Sequence, residues 1–297
     1  MKPAPWLLTA LCVSSTGCLG LTPSPEAPLS WGSSNDGLLF DGLAIADRGE
    51  GFVRARPRED TRWATPQMAR ALERAAASVA RTYPGGAPLR VGDLSYEQGG
   101  QHPRHRSHRS GRDADVIFYV TDAAGQSTRG RGWLAFDRFG VSRETVAPGD
   151  AEPSGDLFFL DDARNWHLVR TLLLDPEANV QWIFCSRGVK SRLLAYAIAH
   201  EPNAEAIFRA AWVLHQPSSG NPHADHFHIR VACTAEELAL GCWDNGPIWP
   251  WMRRDIEKPA GVAETLDDAT LVQALLSDPP EGDREVADAP SGAGGSG

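Results

Sequence analysis

The sequence predicts an α+β domain with a mainly antiparallel sheet flanked by helices. Three observations lead there. Helix and strand signals are mixed along the chain without regular β-α alternation. There are two strand-like runs, DADVIFYV from Asp113, which carries Asp113 and Asp115 on one face, and HFHIRV from His226, whose faces divide into polar and apolar. Six of the nine histidines fall in two short clusters beside those runs: His102, His105 and His108, then His223, His226 and His228.

The elements follow in chain order. Residues 1–18 read as an export signal, with Lys2, a short apolar run from Trp6 to Val13, and small residues before Cys18. That run is too short to span a bilayer, which takes about 20 residues. Thr16-Gly17-Cys18 resembles a bacterial lipobox, which would make Cys18 a lipid anchor, although Ser15 stands where such boxes usually carry Leu. Residues 19–30 are a Pro/Ser linker, and the folded domain is expected over 31–255.

Thr65-Pro66 opens a helix as N-cap and first helical residue, with Leu72, Ala75, Ala76 and Val79 on one face. The run YPGGA from Tyr83 stops it. Arg90 to Ser95 is a strand candidate. The Gly-, His- and Arg-rich loop from Tyr96 to Gly111 then feeds a strand from Asp113 to Val120. On it Asp113, Asp115, Ile117 and Tyr119 share one face. Residues 121–155 are loop-rich, with a hairpin-like piece around Trp133 to Phe139. Leu157 to Leu160 is a strand, Ala163 to Leu174 a helix, Val180 to Cys185 a strand, and Val189 to His200 a helix. In the last strand, His226 to Val231, Phe227, Ile229 and Val231 point to a core while His226, His228 and Arg230 point the other way.

The chain has 297 residues, enough for one or two domains with a core of ordinary size. Net charge is −9, but from Ile256 onward nine acids face two bases, so the rest is nearly neutral and shows no nucleic-acid patch. Residues 256–297 read as an acidic low-complexity tail with one short helix at Thr265 to Leu276. In an exported protein Cys233 and Cys242 can pair as a disulfide. Cys185, in the apolar run VQWIFCS, reads as a buried small hydrophobe.

The two histidine clusters suggest halves of one zinc site. A catalytic zinc takes three protein ligands and leaves a fourth position for water. His226 and His228, two apart on a strand, project together, so one can ligate while the other stands beside the water. Asp115 can reach the same ion from the other strand, and His108 can fold back from the loop before it. Zinc lowers the pKa of a bound water to about 7 and polarises a carbonyl. His226 is the candidate general base, with His223 sharing proton transfer or steadying an oxyanion. His102 and His105 read as structural, with His105 an auxiliary candidate toward a second metal or the substrate. His167, His200 and His215 read as structural.

The pattern SH-x-x-G-x-D-x-D-V, in which His108 stands seven before Asp115, together with His223-x2-His226-x-His228, resembles the penicillin-insensitive murein endopeptidases. These are related to lysostaphin-type endopeptidases and D-alanyl-D-alanine dipeptidases. The resemblance implies a zinc metallopeptidase of the periplasm, cutting the bond from D-alanine to meso-diaminopimelate in peptidoglycan cross-links. It makes His108, Asp115 and His228 the zinc ligands and His226 and His223 the catalytic histidines. No serine nucleophile is used, which accounts for penicillin insensitivity. It also implies the disulfide Cys233–Cys242. The open alternatives are a D,D-carboxypeptidase or dipeptidase of the same zinc group, and a non-catalytic wall-binding lipoprotein. The arginines around His105 suggest attraction to acidic groups of the wall peptide, a solvated loop being the alternative.

Overall fold

The structure, a computed structural model, describes residues 28–130, 132–143 and 155–252. The expected signal segment, most of the linker, the acidic tail with its helix, and part of the loop after Asp122 lie outside the described residues.

A seven-stranded sheet forms the centre, in the order Leu214–His215, Val180–Phe184, His226–Val231, Asp113–Ile117, Leu89–Val91, Phe52–Arg54, Arg48–Gly49. Four of its six pairings are antiparallel. The expected α+β architecture is therefore present. A smaller four-stranded sheet orders Ser127–Thr128, Val120–Thr121, Leu157–Leu160 and Val141–Arg143.

Helices cover one side of the central sheet. Helix α1 (Pro66–Thr82) starts where its sequence signals it: the Thr65 hydroxyl accepts the Met68 N–H, and Pro66 takes the first turn. Leu72, Ala75, Ala76 and Val79 are all buried. Helix α2 (Asp162–Leu174) is capped by Asp161, and α3 (Arg187–His200) by Ser186. Helix α4 (Ala204–Val213), absent from the sequence reading, is capped by Asn203. The apolar face of the two central strands, Phe227, Ile229, Val231, Ala114 and Val116, is fully buried in one core with Met68, Leu72, Leu168 and Leu172. Alternation thus leaves the opposite face of the same strands polar.

Three expectations need correction. The strand expected from Arg90 to Ser95 runs only Leu89–Val91, and Ser95 makes just an isolated bridge to Trp63. The Asp113 strand ends at Ile117, not at Val120. The Asn165 side chain accepts the Tyr119 N–H and donates to the Tyr119 carbonyl, which takes that residue out of the ladder. Val120–Thr121 then joins the smaller sheet, and Tyr119 lies in the core under Arg164. Residues 133–139 are not a hairpin. They form a loop anchored by buried Leu134 and Phe136, and the strand begins only at Val141.

Cys233 and Cys242 form a disulfide beside the short helix α5 (Ala235–Ala239). Buried Arg112 braces this corner, donating to Asp244 at 2.7 Å, to Ser30 and to the carbonyls of Val231 and Trp243. Cys185 is free and buried. Replacing both bonded cysteines by serine removes a short-loop cross-link and is expected to cost about 2–3 kcal/mol of stability. Urea denaturation of the double variant checks this, and an unchanged midpoint would contradict it.

Candidate metal centre

Register builds the centre. On the His226–Val231 strand His228 lies directly opposite Asp115, and Arg230 opposite Asp113. All four side chains occupy the polar face. Asp113 and Asp115 are completely buried there, so each carboxylate needs cationic or hydrogen-bonding partners. Asp113 has them: Arg230 Nε at 2.7 Å, His228 Nε2 at 2.8 Å and the His108 N–H at 3.3 Å. Asp115 does not. Its nearest groups are His108 Nε2 at 3.3 Å, His226 Nε2 at 3.4 Å, His105 Nε2 at 3.4 Å and His228 Nδ1 at 3.8 Å. None is a hydrogen bond, and among the described residues both carboxylate oxygens are buried without a partner.

Loops bring the remaining histidines in. His108 and His223 both have left-handed backbone, at φ 61° and 52°. Such conformations are rare outside glycine and cost of order 1–3 kcal/mol each. At His108 the turn is held by Ser95, whose hydroxyl donates to the His108 carbonyl at 2.6 Å and accepts the Gly111 N–H. At His223 the backbone carbonyl accepts the Ser186 N–H, and Asn221 accepts the His223 N–H. The result is one contiguous group of imidazoles. Ring centroids lie 4.3 Å apart for His105–His108, 4.7 Å for His108–His228, 4.7 Å for His102–His105 and 5.0 Å for His223–His226. The remaining three, His167, His200 and His215, make their ring contacts to Tyr83, Tyr196, and Trp182 and Phe184.

Electrostatics fix the proton inventory. Burial opposes ionisation of Asp115, but His108 and His226 hold its carboxyl well below the usual range. Asp113 is held low in the same way by Arg230 and His228. Burial lowers His228 to about 4 against the pull of Asp113, so it is neutral at pH 7. With its Nε2–H donating to Asp113, its Nδ1 lone pair faces Asp115. Burial and the neighbouring His228 and His226 lower His223 to about 2. For His226, burial is outweighed by Asp115 and Asp225, which push it up to about 10. Its Nδ1 lies 2.7 Å from Asp225 Oδ1.

The donor set fits a borderline divalent cation such as zinc. Both nitrogens of His108 and both oxygens of Asp115 are buried and unpartnered, and His228 turns a lone pair toward the same point. Ligand atoms of His105, His108 and Asp115 lie within 4.8 Å of one another, as do those of Asp93, His102 and His105. The second group fits a metal poorly, because Asp93 is already taken by Arg56, Arg104, Thr61 and His105. In addition, His102 Nδ1 accepts the Arg104 N–H, which puts a proton on its other nitrogen.

Some contributors have no signal in the sequence. Asp93 lies on no recognisable motif, and its partners Arg56 and Arg104 are distant along the chain. Trp133 packs edge-on against His226 at 4.9 Å from a loop that carries no pattern. Asp225 could have been noticed beside His226. The arginine-rich loop is not a free cationic surface: Arg104 pairs with Asp93 and Glu59, and Arg112 with Asp244.

The class defined so far is an α+β protein with a buried His/Asp cluster that holds candidate metal-ligating groups. The sequence model described as penicillin-insensitive murein endopeptidase matches residues 30–250, and the chain belongs to that family. Over 227 residues it is 27% identical to the penicillin-insensitive murein endopeptidase of Haemophilus influenzae, an alignment covering 73% of this chain and 67% of the relative. The family is one of cell-wall hydrolases, and its polymer, peptidoglycan, lies outside the cytoplasm. Among the described residues no helix is long and apolar enough to cross a membrane.

A bound ion would give one His108 nitrogen and the Asp115 carboxylate a partner only in the folded state, and so should stabilise it. Divalent metal at about one hundred times its Kd is expected to add about 2.7 kcal/mol. Scanning calorimetry with and without chelator measures this, and identical Tm values would contradict it.

Proposed function

We propose that the chain is a zinc-dependent endopeptidase that hydrolyses the D-alanyl–meso-diaminopimelyl cross-link between peptidoglycan stem peptides. Buried Asp115, with both oxygens unpartnered among imidazole nitrogens at 3.3–3.8 Å, carries the assignment. His108 through Nε2, Asp115, and His228 through Nδ1 are assigned as the three ligands. A bound zinc ion acidifies water and polarises a carbonyl.

The chain's own residues do the rest. Asp113 holds the His228 Nε2–H, fixing the tautomer and aiming Nδ1. His226 takes the proton from the attacking water at Nε2 and returns it to the leaving amine. Asp225 at its Nδ1 keeps the ring oriented and steadies the imidazolium, as a base needs. A divalent cation at Asp115 would offset the negative field that makes His226 so basic, bringing it nearer neutral pH. His223, kept uncharged by burial, is assigned to hydrogen-bond the developing oxyanion or share the proton. His105, with Nε2 between Asp93 and Asp115, is assigned as a prop for Asp115. Export to the periplasm, with Cys18 as a lipid anchor, completes the proposal.

Digestion of cross-linked muropeptides followed by mass spectrometry tests the bond cut. Loss of cross-linked dimers is expected, whereas release of free D-alanine alone would make the chain a carboxypeptidase. Replacing His226 by Ala should retain the metal while lowering kcat by about 10²–10⁴. Wild-type turnover in that variant would remove the base assignment.

Acid should inactivate through metal loss. Ligation needs neutral His108, and in the ion-free site burial is outweighed by Asp115 and Asp113, which raise its pKa. Protons therefore compete for His108 from at or above the ordinary histidine range of about 6.5. Bound zinc and activity should fall together as pH drops through it. A profile flat down to about pH 4, near the carboxylate range, would contradict this.

A further inference from the structure

Trp133 belongs to none of the motifs, yet it touches the proposed base. Its ring meets the His226 imidazole edge-on, with centroids 4.9 Å apart and planes at 88°. The indole is wedged in place. A side-chain carbon at Gly92 would lie 2.7 Å from Trp133 Cη2 and 3.2 Å from Asp115 Cβ, so the ring packs into the space that glycine leaves beside Asp115. Arg56 lies over the ring with Cζ 5.2 Å from its centroid, and the same guanidinium pairs with Asp93. Asp93 in turn holds His105, which faces Asp115. A closed circuit of contacts therefore runs Asp115, His226, Trp133, Arg56, Asp93, His105.

The loop is tied down on both sides of the tryptophan. Arg90 Nη1 donates to the Gly132 carbonyl at 2.8 Å. Leu134 and Phe136 are buried in the core, and the Phe136 N–H donates to the Ala224 carbonyl at 2.8 Å, two residues before His226. The loop and the base are thus fastened to each other by backbone as well as by ring contact.

We infer that Trp133 is a positioning residue for the hydrolytic reaction, fixing the plane of the His226 imidazole. The Asp225 contact holds one nitrogen of that ring, and Trp133, perpendicular to the imidazole, adds a packing contact that orients the ring as a whole. Small misplacement of a base is costly, on the order of 10²-fold for about 1 Å.

The inference rests on the assignment of His226 as base, and a double-mutant cycle separates the two. Trp133→Ala, Trp133→Phe, His226→Ala and the double Trp133→Ala/His226→Ala variant are prepared in the full chain. Each is assayed for kcat and KM on purified cross-linked muropeptide dimer, for zinc content, and for Tm. Trp133→Ala should lower kcat by about tenfold or more with zinc content retained and KM within about twofold. Trp133→Phe, which keeps an aromatic edge, should recover most of the loss. In the His226→Ala background, removing Trp133 should have no further effect on kcat. An unchanged kcat in Trp133→Ala, or an equal further loss without His226, would overturn the positioning role. Full activity in His226→Ala would instead sink the base assignment beneath it. Loss of zinc or of folding in Trp133→Ala without recovery in Trp133→Phe would make the tryptophan a structural residue only.

Discussion

The antiparallel register between Asp113–Ile117 and His226–Val231 determines everything else at the centre. It sets Asp115 against His228 and Asp113 against Arg230. A slip of one residue would send both carboxylates into the apolar core, or Phe227 and Ile229 out of it, depending on which strand moved. The core therefore enforces the site: Ala114, Val116, Phe227 and Ile229 on one face lock the pairing that brings acids and imidazoles together on the other. Stability of the sheet and geometry of the His/Asp cluster share one constraint.

The two buried aspartates divide the work unequally. Asp113 is satisfied by an arginine, an imidazole and a backbone N–H, so it behaves as a fixed negative post that orients His228 and the His108 turn. Asp115 is ionised with no hydrogen bond to either oxygen. A buried charge in that state is expensive, and a bound cation, as proposed, would offset it. Left-handed backbone at His108 and His223 is a further cost concentrated at the same place, as expected where geometry serves function rather than stability.

Much of this was legible in the chain because the decisive signals are local. Thr65-Pro66 marks the start of α1, and alternation in HFHIRV assigns His226 and His228 to the face opposite the core. The Cys233–Cys242 pair, which the family resemblance implied, is present as a disulfide. What was not legible depends on distant partners. Asn165 ends the Asp113 strand early by binding both backbone groups of Tyr119. Asp93 joins the centre only because Arg56 and Arg104 converge on it, and Trp133 because Leu134 and Phe136 anchor an otherwise featureless loop. Helix α4 was readable in principle, with Asn203 as cap and an apolar stripe after it. It was obscured by its closeness to the end of α3 at His200.

Anomalous diffraction at the zinc edge from crystals of the metal-loaded chain tests the central claim most directly. The account predicts one ion between the two strands, bound by His108, Asp115 and His228 at about 2.0–2.2 Å with a non-protein ligand completing the shell. An ion bound elsewhere, or closed by four protein ligands, would contradict it.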